Sequence, residues 1–468
     1  MRLFNKKKEE THRYNFKLYT EDGAVEYYNP FINFLAYGGM GCGKTKSIGK
    51  PLLYEYLRHN FAGLIYDFKD FDFTKTAYNL LMEAKGLEEY PYSFHVMNFA
   101  KPEYSERTNP ISPKVIQDEN LFIQLIDDML QAYITKDGGG GKGSDPTWMN
   151  GALGLFQGVS YRFYRDYPQF CTLPHIILFC TQTNTKRLTD FLNKDPQCRG
   201  LAGAFLQSAK SPKTQASYQS NLANYISSLS FNKNILYLLS GEDYEFNLID
   251  PEKPKLVSMC NSYQIDKIIS PVIALMLGVS TRQFTMENKV PCFYLLDEAT
   301  TFKISNFQNL CSVLREYLCS FTFLTQSSSK IEHMYSPTER SIIEANFGNH
   351  FYGRTTDVKA IEKYPVIFGK EEKEKISKTR GSSGERHNRS RTISSQKEDR
   401  YEPELFTRLS PGQFVCSAAE SNKKKFIGQF ELFDFEETLP IPLFREGDIK
   451  KEVTENYDKM LHEINLLL

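Results

Sequence analysis

The stretch GGMGCGKT, Gly38–Thr45, most constrains the fold of this chain, because of what flanks it. An apolar run at 31–37 reads as a strand, and KTKSIGKPLLYEYLRH at 44–59 reads as a helix in which Pro51 needs an early bend. In that setting G-x-x-x-x-G-K-[ST] makes a phosphate cradle, since glycines let successive backbone amides converge on an anion at a helix start. The cradle is Gly38, Gly39, Met40, Gly41, Cys42, Gly43, Lys44 and Thr45, with Lys46 beside it. The amides of Gly41, Gly43 and Lys44 would face a β-phosphate, the Lys44 ammonium would reach β and γ oxygens, and the Thr45 hydroxyl would ligate Mg²⁺. ATP with Mg²⁺ is the expected cofactor pair. Cys42 reads as a small residue at a tolerant position rather than an oxidation switch. A second glycine-rich stretch, GGGGKGSD at 138–145, has the wrong order and no preceding strand, and reads as a flexible lead into the next helix.

A phosphate cradle alone holds a nucleotide without using it. The segment CFYLLDEAT at 292–300 supplies the rest: an apolar strand ending in two carboxylates puts Asp297 where it can hold the metal through water and Glu298 where it can polarise an attacking water. Further on, FTFLTQSSSK ends another strand in Gln326, a polar tip able to sense the γ-phosphate. Arg315, on a predicted helix before that strand, could reach a neighbouring subunit's site in a ring.

AGLIYDF at 62–68 reads as a strand and completes the first strand–turn–helix–strand unit. Residues 113–234 read as a mostly helical insertion, in which Asp145 caps a helix that Pro146 opens and that presents Trp148, Ala152, Leu155, Phe156, Val159 and Phe163 on one face. Strands return at 235–240, 255–260, 292–297, 321–326 and 350–355, and 404–417 reads as a helix-turn-strand. The expectation is an α/β fold with a RecA-like P-loop core and a mostly parallel sheet, formed by 1–112 and 235–468 and interrupted by an all-α domain at 113–234. Residues 370–400 hold almost no large apolar side chains and read as a mobile loop, a solvated excursion whose arginines could also touch nucleic acid.

Basic and acidic residues balance at 57 each, so no global field draws the chain to nucleic acid or membrane, and any such contact is local. The start MRLFNKKKEE does not read as a signal peptide, and no run reaches the ~18 apolar residues of a membrane helix. Nine scattered cysteines without a Cys-x-x-Cys pair point to a reducing cytosol and no zinc site.

Taken in order, GGMGCGKTKSIGKPLLYEY, FAGLIYDFKDFDFTKTAYN, RTNPI, SDPTWMNGA, LSGEDYEFNLIDPEKPKLVSMCN, LLDEATTF, FLTQSSSKIEHMY and LFTRLSPGQFV resemble the coupling ATPases of conjugation and type IV secretion, in the branch found in Bacteroides-like mobile elements. The strand between cradle and Asp-Glu pair, the glutamate and the polar sensor are similar to the motor-type branch of P-loop proteins. The resemblance implies a hexameric ring that hydrolyses ATP and moves DNA, sometimes with an attached relaxase, toward a secretion channel. It also implies a helical insertion that selects substrates and a trans-acting role for Arg315. Members of that family usually begin with transmembrane helices, whereas this cradle arrives by residue 38, so the resemblance implies either a separate membrane anchor at the inner membrane's cytoplasmic face or a ring free in the cytoplasm. Where the family has Asp-x-Lys-Gly, this chain has Asp67, Lys69 and then Asp70 in place of the glycine. Lys69 is left facing a pore, pairing with a neighbour, or on the surface.

Three rivals remain to be weighed. LSGED at 239–243 looks like an ABC-transporter signature but stands too far before the Asp-Glu strand. A motor for protein effectors fits the balanced charge, and a non-catalytic nucleotide-binding scaffold conflicts with intact Lys44, Thr45, Asp297, Glu298 and Gln326.

Overall fold

The computed structural model describes residues 14–467 except 84–89, 137–145 and 384–385. The glycine-rich stretch 138–145, its Asp145 cap and the first ten residues therefore lie outside the described residues. In chain order the described strands are β1 (Phe16–Thr20), β2 (Gly23–Tyr27), β3 (Phe34–Tyr37), β4 (Ala62–Asp67), β5 (Ser93–Asn98), β6 (Lys255–Cys260), β7 (Cys292–Leu296), β8 (Cys319–Thr325), β9 (Asn349–Tyr352), β10 (Lys370–Ser383), β11 (Arg386–Asp399), β12 (Gln413–Ala418) and β13 (Lys425–Gln429). The chain divides into two compact units, one of residues 1–52 and 324–434, the other of 53–323 and 435–468.

In the first unit β3 pairs parallel with β9, which pairs antiparallel with β12, which pairs antiparallel with β13. The hairpin β1–β2 joins them through bridges Thr20–Phe430 and Tyr27–Ser421. This hairpin, at whose turn Gly23 takes φ +93°, was not anticipated; the first strand expected from the sequence is 31–37. Residues 370–400, expected as a loop, differ: β10 and β11 pair antiparallel over their full length. Composition speaks to what side chains can bury; ladder bonds ask only for backbone partners.

In the second unit β8, β7, β4, β6 and β5 run parallel in that order. β4, β6, β7 and β8 are buried along their whole length, as near-continuous apolar runs require when both faces are covered. β4 and β7 approach so closely at Gly63 that a Cβ there would stand 2.3 Å from the Phe293 carbonyl oxygen. The buried hydroxyls of Ser320 and Thr322 on β8 meet the Tyr56 hydroxyl at 2.7 and 2.9 Å, while the Tyr56 ring stacks on Phe293.

From Glu119 to Leu238 every described element is a helix. In the helix Pro146–Asp166, Ala152, Leu155, Phe156, Val159 and Phe163 are fully buried, and Trp148 at its start packs on Tyr218. The expected strand at 235–240 is instead the helix Lys233–Leu238, capped by the Asn232 side chain, which accepts from the Ile235 amide. Ile235 to Leu238 are all buried, so the run carried no periodicity to separate helix from strand. The C-terminal helix Ile449–Leu466, capped by Asp448, was not anticipated. Among the described residues no helix is long and apolar enough to cross a membrane.

Candidate functional site

β3 ends at Tyr37, and two neighbouring backbone ends clip the chain that follows. The Gly38 amide donates to the Thr325 carbonyl at 3.3 Å, and the Gly39 amide to the Arg354 carbonyl at 2.7 Å. Gly41 and Gly43 then take φ +70° and +98°, left-handed values that cost a side-chain-bearing residue energy. A Cβ on Gly43 would meet the Gly412 amide nitrogen at 2.6 Å, and one on Gly38 would meet Cys42 Sγ at 2.4 Å. Gly412, itself at φ +82°, backs the loop by donating its amide to the Cys42 carbonyl at 2.8 Å. Met40 at the crest is 86 % exposed and Cys42 is buried.

The Lys44 ammonium folds over the loop, donating to the Gly38 carbonyl and, at 3.4 Å, to that of Gly39. Lys44–Gly49 form one turn of π-helix before the α-helix Lys50–Arg58, which satisfies the early bend that Pro51 demands. The Lys46 carbonyl accepts from the Phe433 amide at 2.9 Å. Gln326 follows the end of β8 directly, next in sequence to the carbonyl that holds Gly38, and is half-buried. Arg354, whose backbone clamps Gly39, was missed; the strand ending HFYGRT was its only signal.

The second unit carries the carboxylates. β4 and β7 are parallel neighbours, so Asp67 and Asp297 emerge at one edge, the Asp297 amide donating to the Tyr66 carbonyl at 3.0 Å. Asp297 is buried, and the Nζ of Lys69, an exposed side chain as one of its three options has it, lies 3.6 Å from the Asp297 Oδ2. Burial raises the Asp67 carboxyl to about 7, against the pull of the amide and hydroxyl of Thr74, both 2.8 Å from Oδ2. Glu298 is half-buried at φ +48°, a left-handed backbone that a glutamate adopts only when its surroundings impose it.

Asp70, at the position where the resemblance implies glycine, sits at φ +66°, a conformation that glycine takes freely. The Asn98 side chain, donating to Oδ1 at 2.7 Å, and an ion pair to Lys101 tie it down. Arg315 stands apart. It is exposed in the 3₁₀ turn Leu314–Tyr317 that leads into β8, at the edge where β7 begins, while Asp297 lies beyond the far end of β7's 5 residues.

Residues 291–411 match the family model described as the TraM recognition site of TraD and TraG. No curated protein matches the chain. Among solved structures the chain is similar to the bacterial conjugative coupling protein TrwBdeltaN70 in its unbound monoclinic form, at 14 % identity over 94 % of each chain with a TM-score of 0.66. It is similar to plasmid coupling protein TrwB in complex with ADP and Mg²⁺, at 14 % identity over 88 % of each chain with a TM-score of 0.63. It is also similar to VirB4 of Thermoanaerobacter pseudethanolicus, at 12 % identity over 88 % of this chain and 95 % of that one, with a TM-score of 0.53. The fold is thus the expected one, RecA-like α/β with a mostly parallel sheet and an all-α part. Family model and structural likeness both fall on the coupling proteins that the sequence resembles.

Proposed function

We propose that the chain is an ATPase that moves DNA as a coupling protein, handing it, alone or with an attached relaxase, to a type IV secretion channel. The observation that carries this reading is the loop Gly38–Thr45, its tight left-handed glycines and inward Lys44 set in a coupling-protein fold. That loop suits a nucleotide: side chains are excluded where the backbone must close on phosphates, and Lys44 is poised over it. Thr45 and Asp297 offer the oxygen donors that Mg²⁺ prefers, and the ion, when bound, neutralises charge on the β- and γ-phosphoryl oxygens.

In this reading Lys44 binds phosphate oxygens, Glu298 accepts a proton from the attacking water, and Gln326 senses the phosphate that leaves. Arg315 serves the site of the next subunit in a homohexamer, and a separate membrane anchor brings the ring to its channel. The likeness to coupling proteins supports the role, and the retained Asp297, Glu298 and Gln326 support hydrolysis over mere binding. ATP hydrolysis and particle size measured with and without DNA test it. Rate and size should both rise with DNA; a rate unmoved by single- and double-stranded DNA alike would overturn DNA as the load.

A further inference from the structure

Two backbone clips hold the start of the phosphate loop: the Thr325 carbonyl accepts from the Gly38 amide and the Arg354 carbonyl from the Gly39 amide. Beyond the loop, the two chain segments that supply those clips are tied to each other. Just past Arg354, Asp357 stands at the N-cap of the helix Val358–Phe368, where its Oδ1 accepts from the Ala360 amide at 3.4 Å. The Thr355 hydroxyl steadies it, accepting from the Asp357 amide at 3.1 Å. The same carboxylate accepts hydrogen bonds from the hydroxyls of Ser327 and Ser329. Ser327 directly follows Gln326, is buried, and stands at the N-cap of the helix Ser328–Met334. A circuit through Gly38, Thr325, Ser327, Asp357, Arg354 and Gly39 therefore closes within the first unit, and Gln326 lies on it.

Ser327 departs from what its place in the chain favours. A serine at an N-cap ordinarily turns its hydroxyl onto an amide of its own first turn. Ser327 caps no amide of its helix; its hydroxyl goes to Asp357. One carboxylate thus caps one helix and holds the start of the other. The Ser327 backbone is extended, at φ −160° and ψ 162°, and its carbonyl accepts from the Lys330 amide at 3.2 Å. Anchored at side chain and carbonyl, Ser327 leaves the residue before it little freedom to shift. A side chain that must meet a phosphate oxygen needs that, since small misplacements at a reacting centre are costly.

We propose that Asp357 is a positioning residue for Gln326: through Ser327 and Ser329 it holds the backbone from which Gln326 meets the terminal phosphate, and it ties that sensor to the segment that clips Gly39. The inference rests on the reading of Gln326 as the γ-phosphate sensor and names what aims it.

The test uses the full chain with DNA present, and sets ATP turnover beside affinity for ADP and for a non-hydrolysable ATP analogue. Asp357→Ser keeps a good N-cap but offers one oxygen on a shorter arm in place of a carboxylate's two. Ser327→Ala with Ser329→Ala removes the same link from its other side and leaves the Asp357 cap in place. Each should lower kcat about tenfold or more and weaken the ATP analogue at least about threefold relative to ADP, whose affinity stays within about twofold. All three substitutions together should cost no more than either set alone, because the link is lost only once. Asp357→Asn caps as well and exchanges hydrogen bonds with hydroxyls, so its turnover should stay within about threefold of wild type. Wild-type turnover in both link variants overturns the inference. Equal weakening of ADP and of the ATP analogue also overturns it, in favour of a role in the fold alone. Gln326→Ala turning over at the wild-type rate, or a wild type that hydrolyses no ATP, overturns instead the reading on which the inference rests.

Discussion

At the scale of single residues, Glu298 combines two observations: a position directly after the buried Asp297 and a left-handed backbone at φ +48°. Backbone strain of this kind persists where surroundings impose it and clusters at functional sites. Glu298→Gln preserves shape and removes the proposed base, so on that reading ATP hydrolysis should fall about 100-fold or more while nucleotide affinity stays within a few-fold, measured by phosphate release and by binding of a fluorescent nucleotide. Hydrolysis at the wild-type rate would remove Glu298 from the role. Asp70 gives the opposite expectation. Its φ of +66° is a conformation glycine takes freely, so Asp70→Gly exchanges the links to Asn98 and Lys101 for a relaxed backbone. Hydrolysis should stay within about twofold, and melting should move little, because exposed ion pairs contribute at most about 1 kcal/mol. A tenfold loss of turnover would give the Asp70 carboxylate a chemical task.

At the scale of elements, the phosphate loop was legible because its chemistry is local: spacing, a preceding strand and a following helix all lie within a few residues. What supports it was not, because Gly412 and Arg354 reach it from distant parts of the chain. The helix Lys233–Leu238 was invisible as a helix since its apolar run is buried on every side, and the β10–β11 ribbon since composition says nothing of backbone pairing. Gly43→Ala should therefore damage more than a turn. The added methyl meets backbone at Gly412 and is forced to φ +98°, so stability should drop by about 2 kcal/mol and ATP affinity at least tenfold, read by chemical denaturation and nucleotide binding. The C-terminal helix gives a pH-dependent expectation. His175 is buried, with Nδ1 2.6 Å from the Thr172 hydroxyl and Nε2 3.0 Å from Glu463 on that helix. Burial lowers its pKa below the ordinary value, Glu463 opposing and Lys459 adding to the effect. The unfolded chain then binds the proton more readily, so stability is full above about pH 6.5 and is lost as pH falls through the folded value. His175→Gln should flatten that decline in urea unfolding between about pH 7.5 and 5.5; an unchanged slope would show that His175 does not titrate in this way.

At the scale of the whole molecule, the role proposed for Arg315 is one that an assembly can test. Arg315 lies exposed before β8, at the edge where β7 starts, and Asp297 lies past the other end of β7, roughly 15 Å along the strand. On the proposed reading, Arg315 would serve phosphoryl transfer in another copy's site, and a head-to-tail ring would provide that copy. The consequence is a complementation that no monomer could show. Arg315→Ala and Glu298→Gln proteins should each be nearly inactive alone. Mixed in equal amounts under conditions that allow subunits to exchange, about a quarter of the interfaces join an intact Glu298 to an intact Arg315, so DNA-stimulated hydrolysis should return to about a quarter of the wild-type rate. A mixture no more active than its components would assign Arg315 to the surface. Hydrolysis by Arg315→Ala alone at the wild-type rate would do the same, and would leave the carboxylates and the phosphate loop sufficient for turnover without a neighbour.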